Sequence, residues 1–349
     1  MKKVIIGMSG GVDSSVAAAV LKEQGFKVIG VTLSLYRENA TDGATDDLRD
    51  AKAVCEKIGI EHIVVNRREL FCKQVIENFV SSYENGETPN PCIICNKAVK
   101  FNEMLSLADE LGADFVATGH YSKIEKNEDG VYLLKKPEDS SKDQTYMLYK
   151  LTQSQLSRIL MPLSSLTKEQ VREKAKELGL CVADRPDSQD ICFVPDGEYA
   201  GFIERYRNKT YADGDYILPN GKKVGRHKGM IRYTVGQRKG LGIALGKPAF
   251  VISKNAENNE VIISEDESLL FNNTVHLKDV NFIPFEKLNG EIRVTAKLRY
   301  RHKEASAILK AEGENGAVLV FDEPQRAAAP GQAAVFYDGD VVIGGGTIV

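Results

Sequence analysis

The chain has 349 residues, 42% of them hydrophobic, and a formal net charge of -3 at pH 7. This length exceeds the roughly 250 to 300 residues at which a single core stops growing, so two or three domains are expected. The slightly negative charge argues against a surface that binds nucleic acid over its whole area, so any RNA contact must come from local basic patches.

Apolar runs and cysteine content indicate the compartment. The apolar run at residues 4–6 ends before Ser9, well short of the roughly 7 to 15 apolar residues of a secretory signal, and no run has the length of a membrane span. Six cysteines are too few for a disulfide scaffold in this chain and more typical of catalytic or metal-binding thiols. We therefore expect a cytoplasmic protein with no membrane partner.

The first predicted elements are a strand, a loop and a helix. Residues 4–6 form a short apolar strand, residues 7–15 (GMSGGVDSS) form the loop, and residues 16–21 belong to a helix that ends near Gly25. A loop in this position directs backbone N–H groups and the helix dipole toward one point, which is typical of an anion site. A glycine-serine turn without a ligand is the alternative, and the flanking strand and helix favour the anion site.

The composition of this loop indicates which anion it binds. Gly10 and Gly11 let the backbone present its N–H groups, and three hydroxyls add donors: Ser9, Ser14 and Ser15. A Walker loop would place Lys and then Ser or Thr after its last Gly, and this loop has Asp13 among its donors instead. Because a carboxylate repels phosphate unless it holds a cation or a ribose, we expect pyrophosphate binding with magnesium nearby. The loop resembles the signature of the PP-loop ATP pyrophosphatases, which cleave ATP to AMP and pyrophosphate while adenylating a carbonyl oxygen.

Short apolar strands and helices alternate up to about residue 180. The predicted strands are residues 28–33, 63–65 and 115–118. Apolar residues at helical spacing precede Gly59 and Gly112, and Thr167 and Gln170 fit a capping box that begins a helix ending at Gly179. The alternation predicts an α/β domain with a Rossmann-like parallel sheet over residues 1–199.

The composition changes after this domain. A basic run without Asp or Glu includes Lys222, Lys223, Arg226, His227, Lys228, Arg232, Arg238 and Lys239. From Phe271 onward, short apolar runs separated by turns such as YDGD at residues 337–340 predict an antiparallel β-barrel. We therefore expect a small basic central domain at residues 200–270 and a C-terminal antiparallel β-barrel at residues 271–349.

Three of the six cysteines stand in polar segments. Cys92 and Cys95 lie just before a helix in NPCIICNK (residues 90–97), where the helix N-terminus and Lys97 are expected to favour a thiolate. Cys192 lies in the polar loop DRPDSQDICF (residues 184–193). The other thiols lie on or beside apolar helical faces, where Cys acts as a small hydrophobe; they are Cys55, Cys72 and Cys181.

With these residues, the chain closely resembles the tRNA-specific 2-thiouridylases, which thiolate the wobble uridine of certain tRNAs. The resemblance covers essentially the whole length, and the ordered set of its motifs is very specific. Besides the loop at residues 7–15, the motifs are TPNP at 88–91, CNK at 95–97, ATGHY at 117–121, KDQTY at 142–146, DSQDICF at 187–193, GRHKG at 225–229, YTVGQRKGLG at 233–242, RYR at 299–301 and PGQ at 330–332.

The resemblance implies a role for each matching position. ATP would be held by Gly7, Met8, Ser9, Gly10, Gly11, Val12, Asp13, Ser14, Ser15, Leu33 and Gly119. Cys95 would be the nucleophile and Cys192 the carrier of a persulfide. The target base would meet Asn90, Pro91 and Cys92. The tRNA would contact His120, Lys142, Asp143, Gln144, Arg299, Tyr300 and Gln332, and Tyr233 and Tyr300, beside basic residues, would stack on bases.

The resemblance also implies a reaction sequence and partners. ATP with Mg²⁺ would adenylate the C2 oxygen of uridine, because that oxygen is a poor leaving group. Sulfur would reach Cys192 as a persulfide from a donor protein, a sulfur-relay protein or a cysteine desulfurase. Cys95 would attack the persulfide or assist direct attack, and turnover would leave a disulfide between Cys95 and Cys192.

One position departs from the family pattern, which has Asp where this chain has Cys92. Two hypotheses remain open: Cys92 is a redox partner or resolving thiol, which we favour, or it ligates an iron-sulfur cluster with Cys95 and Cys192. Two other functions compete with tRNA thiolation. One is a PP-loop ligase or amidotransferase, which leaves the thiols and basic tracts unexplained, and the other is a non-catalytic RNA-binding iron-sulfur protein.

Overall fold

The computed structural model describes residues 1–36, 38, 46–186, 190–194 and 197–349. Residues 187–189 of the predicted persulfide loop lie outside this set. The strands are β1 Lys3–Gly7, β2 Lys27–Ser34, β3 Glu61–Asn66, β4 Phe115–Ala117, β5 Lys123–Lys126, β6 Tyr132–Lys135, β7 Ile159–Leu160, β8 Gly214–Ile217, β9 Lys223–His227, β10 Phe250–Asn255, β11 Glu260–Ser264, β12 Phe271–Phe282, β13 Glu291–Lys297, β14 Ala305–Glu312, β15 Gly316–Arg326, β16 Ala333–Asp338 and β17 Val341–Ile348.

Most helices lie in the first two hundred residues. They are α1 Val12–Glu23, α2 Asp46–Ile58, α3 Arg68–Phe71, α4 Glu77–Glu84, α5 Pro91–Ile94, α6 Asn102–Glu110, α7 Gln153–Leu156, α8 Lys168–Glu177 and α9 Tyr199–Arg207. Two π-helical segments, Cys72–Ile76 and Cys95–Phe101, join α3 to α4 and α5 to α6. None of the helices in the described residues is long and apolar enough to cross a membrane.

The first domain contains a parallel sheet with the order β3-β2-β1-β4-β7. Alternate residues of β1 face opposite sides of this sheet. Val4 and Ile6 share a core with Val16 of α1, while Ile5 shares a second core with Met104 of α6. Because both faces are covered there, the central strands β1 and β4 are apolar at nearly every position, as buried parallel strands usually are.

Residues beyond this domain form two antiparallel-rich sheets. The central sheet has the order β10-β11-β8-β9, and β12-β15-β14-β13-β16-β17 closes into a barrel through pairing of β17 with β12. The hairpin β5-β6 of the first domain joins the barrel where Lys135 pairs with Val341. The predicted fold class, a Rossmann-like domain followed by a central domain and a C-terminal barrel, is confirmed. The boundaries at residues 199/200 and 270/271 stay predictions.

The helix that the capping box predicted is present. The backbone N–H of Gln170 donates to Thr167 Oγ1 at 3.3 Å, and the backbone N–H of Thr167 donates to Gln170 Oε1 at 2.8 Å. This reciprocal pair satisfies two donors that a helix start leaves without intrahelical partners. The helix packs on α1, so it lies close to the loop at residues 7–15.

Candidate functional site

The loop at residues 7–15 lies at the carboxyl end of β1, between β2 on one side and β4 on the other. At such a switch point the strand order reverses, and parallel α/β sheets bind their ligands there. Gly10 has a φ of +72°, and Gly11 precedes α1 without a side-chain cap. The N–H groups in the first turn of α1 lack intrahelical partners, so they are available to an anion.

Gly119 packs against the same helix start from the far side of the switch point. A Cβ at this position would stand 2.7 Å from the backbone N of Ser14 and 2.8 Å from the backbone C of Asp13. Only glycine allows β4 and the loop to approach this closely. The structure thus brings together two segments that the resemblance assigns to ATP, and the binding itself stays a prediction.

The buried serines of the loop do not face a ligand. Ser15 Oγ donates to the carbonyl of Gly11 at 2.8 Å, and Ser14 Oγ donates to the same carbonyl at 3.1 Å. Ser9 Oγ lies 3.2 Å from Ser14 Oγ. The prediction that Ser14 and Ser15 add donors for the anion is wrong in this arrangement, because their hydroxyl protons bind within the loop. The backbone amides therefore remain the main donors.

Asp13 takes part in an ion pair that the sequence did not predict. Lys168 Nζ donates to its two carboxylate oxygens at 2.7 and 2.9 Å, and the Tyr121 hydroxyl donates at 2.8 Å. Lys168 begins α8 and is only 8% exposed. This cation offsets the repulsion between Asp13 and a phosphate. The three bonds leave one acceptor position on Oδ2, and the expected magnesium or ribose contact at Asp13 stays a prediction.

Arg185 is a further residue whose role the sequence did not reveal. Its Nη1 donates to the Gly10 carbonyl at 2.8 Å and to Asp50 at 2.6 Å, and its Nη2 pairs with Asp47. A Cβ on Gly10 would stand 2.3 Å from the carbonyl oxygen of Asp47. The guanidinium therefore holds the loop against the start of α2, from the segment that leads to Cys192.

Met8 and Leu33 lie at the ends of neighbouring strands beside the loop. The Met8 N–H donates to the Val31 carbonyl at 2.8 Å, and Thr32 Oγ1 donates to the Met8 carbonyl at 2.9 Å. Met8 is buried, whereas Leu33 keeps part of its surface exposed. An apolar surface at this edge suits an adenine ring, and the assignment stays a prediction.

Cys95 is buried where α5 passes into the π-helical segment. It belongs to a cluster of aromatic residues that includes Phe71 and Phe193. Burial raises the pKa of the Cys95 thiol to about 12, and Cys192 and Cys92 add to the rise. Desolvation disfavours the thiolate more strongly than the nearby helix start favours it.

The cation that acts on Cys95 is Lys100, which lowers its pKa against the larger effect of burial. Lys97 is exposed to solvent. The prediction that the helix N-terminus and Lys97 favour a thiolate is therefore wrong for Cys95 in this conformation. A state that reacts through the Cys95 thiolate must expose this thiol or supply a base.

Cys192 is exposed and precedes an aromatic anchor. Phe193 is 1% exposed, and its ring centroid lies 5.7 Å from that of Phe71 and 5.2 Å from that of Phe79. Because Cys95 belongs to the same cluster and its pKa responds to Cys192, the two predicted catalytic thiols are near each other. The six cysteines, all in described positions, form no disulfide.

The three cysteines of the cluster hypothesis are not arranged as metal ligands. Among the described residues, no three His, Cys, Asp or Glu side chains converge into a group that could hold a metal ion. Cys92 and Cys192 are exposed, whereas Cys95 is buried among aromatic rings. An iron-sulfur cluster does not fit this arrangement of the trio.

Asn90 caps the helix that carries both Cys92 and Cys95. Its Oδ1 accepts from the Cys92 N–H at 3.2 Å, and its Nδ2 donates to the Met147 sulfur at 3.5 Å. Pro91 is buried at the first helical position, where a missing N–H costs nothing. The cap leaves Cys92 exposed at the helix start, which is where the resemblance expects the target base.

The turn between β13 and β14 brings predicted RNA contacts close to Cys92. Arg299 and Tyr300 are exposed on this turn. Partial burial is the first cause of the raised pKa of Tyr300; Asp143 and Cys92 raise it further, and Lys142 lowers it. Since such effects require proximity, residues from three distant segments of the chain meet around this tyrosine.

Two of the predicted tRNA contacts engage groups of the protein itself. Asp143 is 8% exposed and accepts from Thr145 Oγ1 at 2.6 Å. Gln144 Oε1 accepts from the Tyr121 N–H at 2.8 Å. These bonds fix the KDQTY segment beside the loop at residues 7–15, and contact with tRNA through either side chain stays a prediction.

His120 and Gln332 also have internal partners. His120 Nδ1 lies 2.7 Å from Thr118 Oγ1, and burial lowers the pKa of His120 to about 3. This ring is neutral at physiological pH, so it adds no positive charge toward RNA. Gln332 Nε2 donates to the Thr88 carbonyl at 2.8 Å, which ties the barrel to the segment before Asn90.

Part of the basic run at residues 222–239 is less available than its sequence suggested. Three of its cations pair with acidic residues from outside the run: Lys223 with Asp215 at 2.7 Å, Lys228 with Asp213 at 2.9 Å and Arg232 with Glu204 at 2.8 Å. Burial lowers the pKa of His227. Exposed cations without such a pair in the described residues include Lys222, Arg238 and Lys239.

Tyr233 cannot stack on bases in this arrangement, contrary to the prediction. It is 5% exposed, and its ring packs in the central core with Tyr216 at 5.6 Å and His227 at 5.4 Å. The motif that contains Tyr233 therefore supports the central domain from within, whereas Tyr300 is 36% exposed and remains a stacking candidate.

Three protein-family models match successive parts of the chain. Residues 2–196 match the tRNA methyl transferase HUP domain, residues 200–265 the tRNA methyl transferase PRC-barrel domain, and residues 272–348 the aminomethyltransferase beta-barrel domain. Together they span all three parts of the fold described above.

Curated relatives match along the full length. A tRNA-specific 2-thiouridylase of Clostridioides difficile is 49% identical over 99% of this chain and 98% of its own. One from Acetivibrio thermocellus is 50% identical over 99% of both chains. A solved 4-thiouridine synthetase bound to RNA and ATP is 18% identical, with a TM-score of 0.37, over 58% of this chain and 50% of its own; this likeness is too distant to carry an argument.

Proposed function

The chain belongs to the family of tRNA-specific 2-thiouridylases, and from that premise we propose that it thiolates C2 of the wobble uridine in tRNA at the expense of ATP. The observation that carries the proposal is the proximity of Cys95 and Cys192, two thiols from distant segments, at one aromatic cluster. A PP-loop in the same domain supplies the activating chemistry that sulfur transfer needs.

The activation step would take place at the loop amides. The C2 oxygen of uridine attacks the α-phosphorus of ATP, pyrophosphate leaves, and the base carries AMP. The N–H groups at the start of α1 would stabilise the charge that develops on the phosphates, and such donors act strongly because they are already oriented. Magnesium is expected with ATP, and Asp13 would be a partner of the metal or of the ribose.

The sulfur step would use both thiols. A donor protein would place a persulfide on Cys192, whose exposure makes it accessible to another protein. The Cys95 thiolate would attack the inner sulfur of the persulfide, forming a Cys95–Cys192 disulfide and releasing hydrosulfide. Hydrosulfide would then attack C2 and expel AMP, and a dithiol reductant would return both cysteines to thiols. Because the pKa of Cys95 is raised, its thiolate would form only after the thiol is exposed or with the help of a base.

Of the two roles proposed for Cys92, the arrangement of the three thiols favours the redox partner over the cluster ligand. The exposed position of Cys92 three residues before Cys95 supports a redox partner or resolving thiol. Iron and sulfide analysis after anaerobic purification tests the other role, that of a cluster ligand. A colourless, iron-free protein that is active on tRNA would remove the cluster hypothesis, and stoichiometric iron would remove the resolving role.

The proposal is tested by mass spectrometry of nucleosides from tRNA incubated with ATP and a sulfur source. The wild-type protein should produce 2-thiouridine and release AMP only when tRNA is present. Cys192→Ala should fail with a persulfide donor and keep some activity with free sulfide, while Cys181→Ala, an exposed thiol with no assigned role, should act as the wild type does. ATP cleavage that ignores tRNA would favour a ligase or amidotransferase, and no cleavage at all would favour a non-catalytic RNA-binding protein.

A further inference from the structure

All three parts of the fold meet at a short segment just before Asn90. Helix α4 ends in a Schellman motif: the Gly86 N–H donates to the Tyr83 carbonyl at 3.1 Å, and the Glu87 N–H donates to the Ser82 carbonyl at 2.8 Å. Gly86 has a φ of +78°, which suits this chain reversal. The motif places Glu87 and Thr88 directly against the two following domains.

The barrel binds both the backbone and the side chains of this segment. The Thr88 N–H donates to the Pro330 carbonyl at 2.7 Å, and Gln332 Nε2 donates to the Thr88 carbonyl at 2.8 Å. A Cβ on Gly331 would stand 2.8 Å from the Cβ of Glu87, so the two backbones are in close contact. Lys278 of β12 pairs with the Glu87 carboxylate at 3.2 Å.

The central domain contacts the same segment through Lys254 of β10. Lys254 Nζ donates to the Tyr233 carbonyl at 2.8 Å and lies 5.8 Å from the centroid of the Tyr83 ring. Burial lowers the pKa of Lys254 to about 8, and Glu87 acts in the opposite direction. A Cβ on Gly86 would stand 3.4 Å from the Cβ of Lys254, so the central domain packs directly against the segment whose Glu87 carboxylate pairs with a cation of the barrel.

The chain between this segment and the thiols is short and stiff. Pro89 and Pro91 each fix one backbone dihedral, Asn90 lies between them as the helix cap, and Cys92 and Cys95 follow in the helix. A displacement of Glu87 and Thr88 would therefore shift Asn90 and the helix start by a similar distance.

We propose that Glu87 is a positioning residue for sulfur transfer: its carboxylate ties the barrel to the segment that sets the helix start at Asn90, Cys92 and Cys95, at the point where the central domain packs on that segment. This inference rests on the proposed function, in which those residues meet the target base and the sulfur. RNA that binds to the central domain or the barrel would therefore affect the position of Cys92 and Cys95 through the contacts of this segment.

The test uses Glu87→Gln, which keeps the size of the side chain and removes its charge. A displacement of about 1 Å can cost roughly 100-fold in rate, so we expect kcat for 2-thiouridine formation to fall about tenfold while the Kd for tRNA and the KM for ATP change by less than about twofold. Cys95 should be alkylated faster by iodoacetamide, as measured by peptide mass spectrometry. Glu291→Gln is the matched control, because Glu291 pairs with Lys310 at 2.8 Å within the barrel, away from this segment.

Each outcome decides the proposal. The proposal is overturned if Glu87→Gln and Glu291→Gln have the same kcat and the same rate of Cys95 alkylation. It is also overturned if the affinity of Glu87→Gln for tRNA falls by the same factor as kcat, since Glu87 would then act in RNA binding. If Glu87→Gln does not fold, Lys278→Met replaces it, and the same changes are expected at smaller size. If the wild-type protein makes no 2-thiouridine, the proposed function fails, and the Cys95 alkylation rates still decide whether Glu87 sets the position of this helix.

Discussion

Gly119→Ala should impair ATP use with little effect on the fold elsewhere. The added Cβ would stand 2.7 Å from Ser14 N and 2.8 Å from the carbonyl carbon of Asp13, whereas such atoms rest about 3.5 Å apart. The helix start and β4 must therefore separate by roughly 0.7 Å, because both neighbours are backbone atoms that cannot rotate away. Overpacking of this kind costs about 1 to 3 kcal/mol of folding stability.

The same shift moves the amides that are expected to hold the phosphates. Since a displacement near 1 Å can cost about 100-fold, we expect kcat/KM for ATP to fall about 30-fold, which corresponds to about 2 kcal/mol of transition-state stabilisation. The assay is tRNA-dependent AMP release at varied ATP. Gly201→Ala is the control, because its Cβ would meet only the flexible end of Arg205 at 3.0 Å in α9. An unchanged kcat/KM for Gly119→Ala would refute the proposed phosphate site.

Two further predictions concern residues that anchor the site. Arg185→Gln should raise the Kd for ATP about tenfold, because the Gly10 carbonyl loses a charged donor worth about 1.5 to 3 kcal/mol. Arg49→Gln is the control, because Arg49 lies in an exposed pair with Asp46, and its Kd for ATP should not change. Equal ATP-binding curves for the two variants would contradict this prediction. Alkylation of Cys95 should keep rising from pH 7 to 10 because its pKa is about 12, whereas a plateau near pH 8 to 9, the range of a free thiol, would show that burial does not protect it. The free energy of unfolding should show the same effect. Because the pKa of Cys95 is higher in the folded than in the unfolded protein, its contribution to stability is complete below the unfolded-state pKa and decreases as the pH rises above that value.

The elements that were predicted correctly are specified by neighbouring residues. The strands at residues 28–33 and 115–118 are apolar runs of the right length, and the capping box at Thr167 and Gln170 needs only its own four residues. The barrel was recognisable from short strands and turns such as the one at Gly339, whose φ is +57°. Periodicity and turn chemistry are local properties, so they can be read without knowing what packs against them.

The errors arise where distant residues decide the chemistry. The partner of Asp13 is Lys168, and the side chain that holds Gly10 is Arg185, each more than 150 positions away. The rule that a helix start favours a thiolate failed for Cys95, because burial in the cluster that includes Phe71 and Phe193 raises its pKa. Three cations of the basic run pair with acids that lie 8 to 28 positions before them, and the sequence does not show that the fold brings those side chains together.

The helix that carries Cys95 separates two hydrophobic cores and contributes residues to both. Cys95 and Val99 belong to the aromatic cluster, while Phe101 and Met104 belong to the core beneath the parallel sheet. The π-helical segment between them changes the helical phase, so that one helix can bury residues on both sides. Such a helix cannot slide or rotate without disturbing the sheet. We therefore expect sulfur transfer to proceed without a large displacement of the Cys95 backbone.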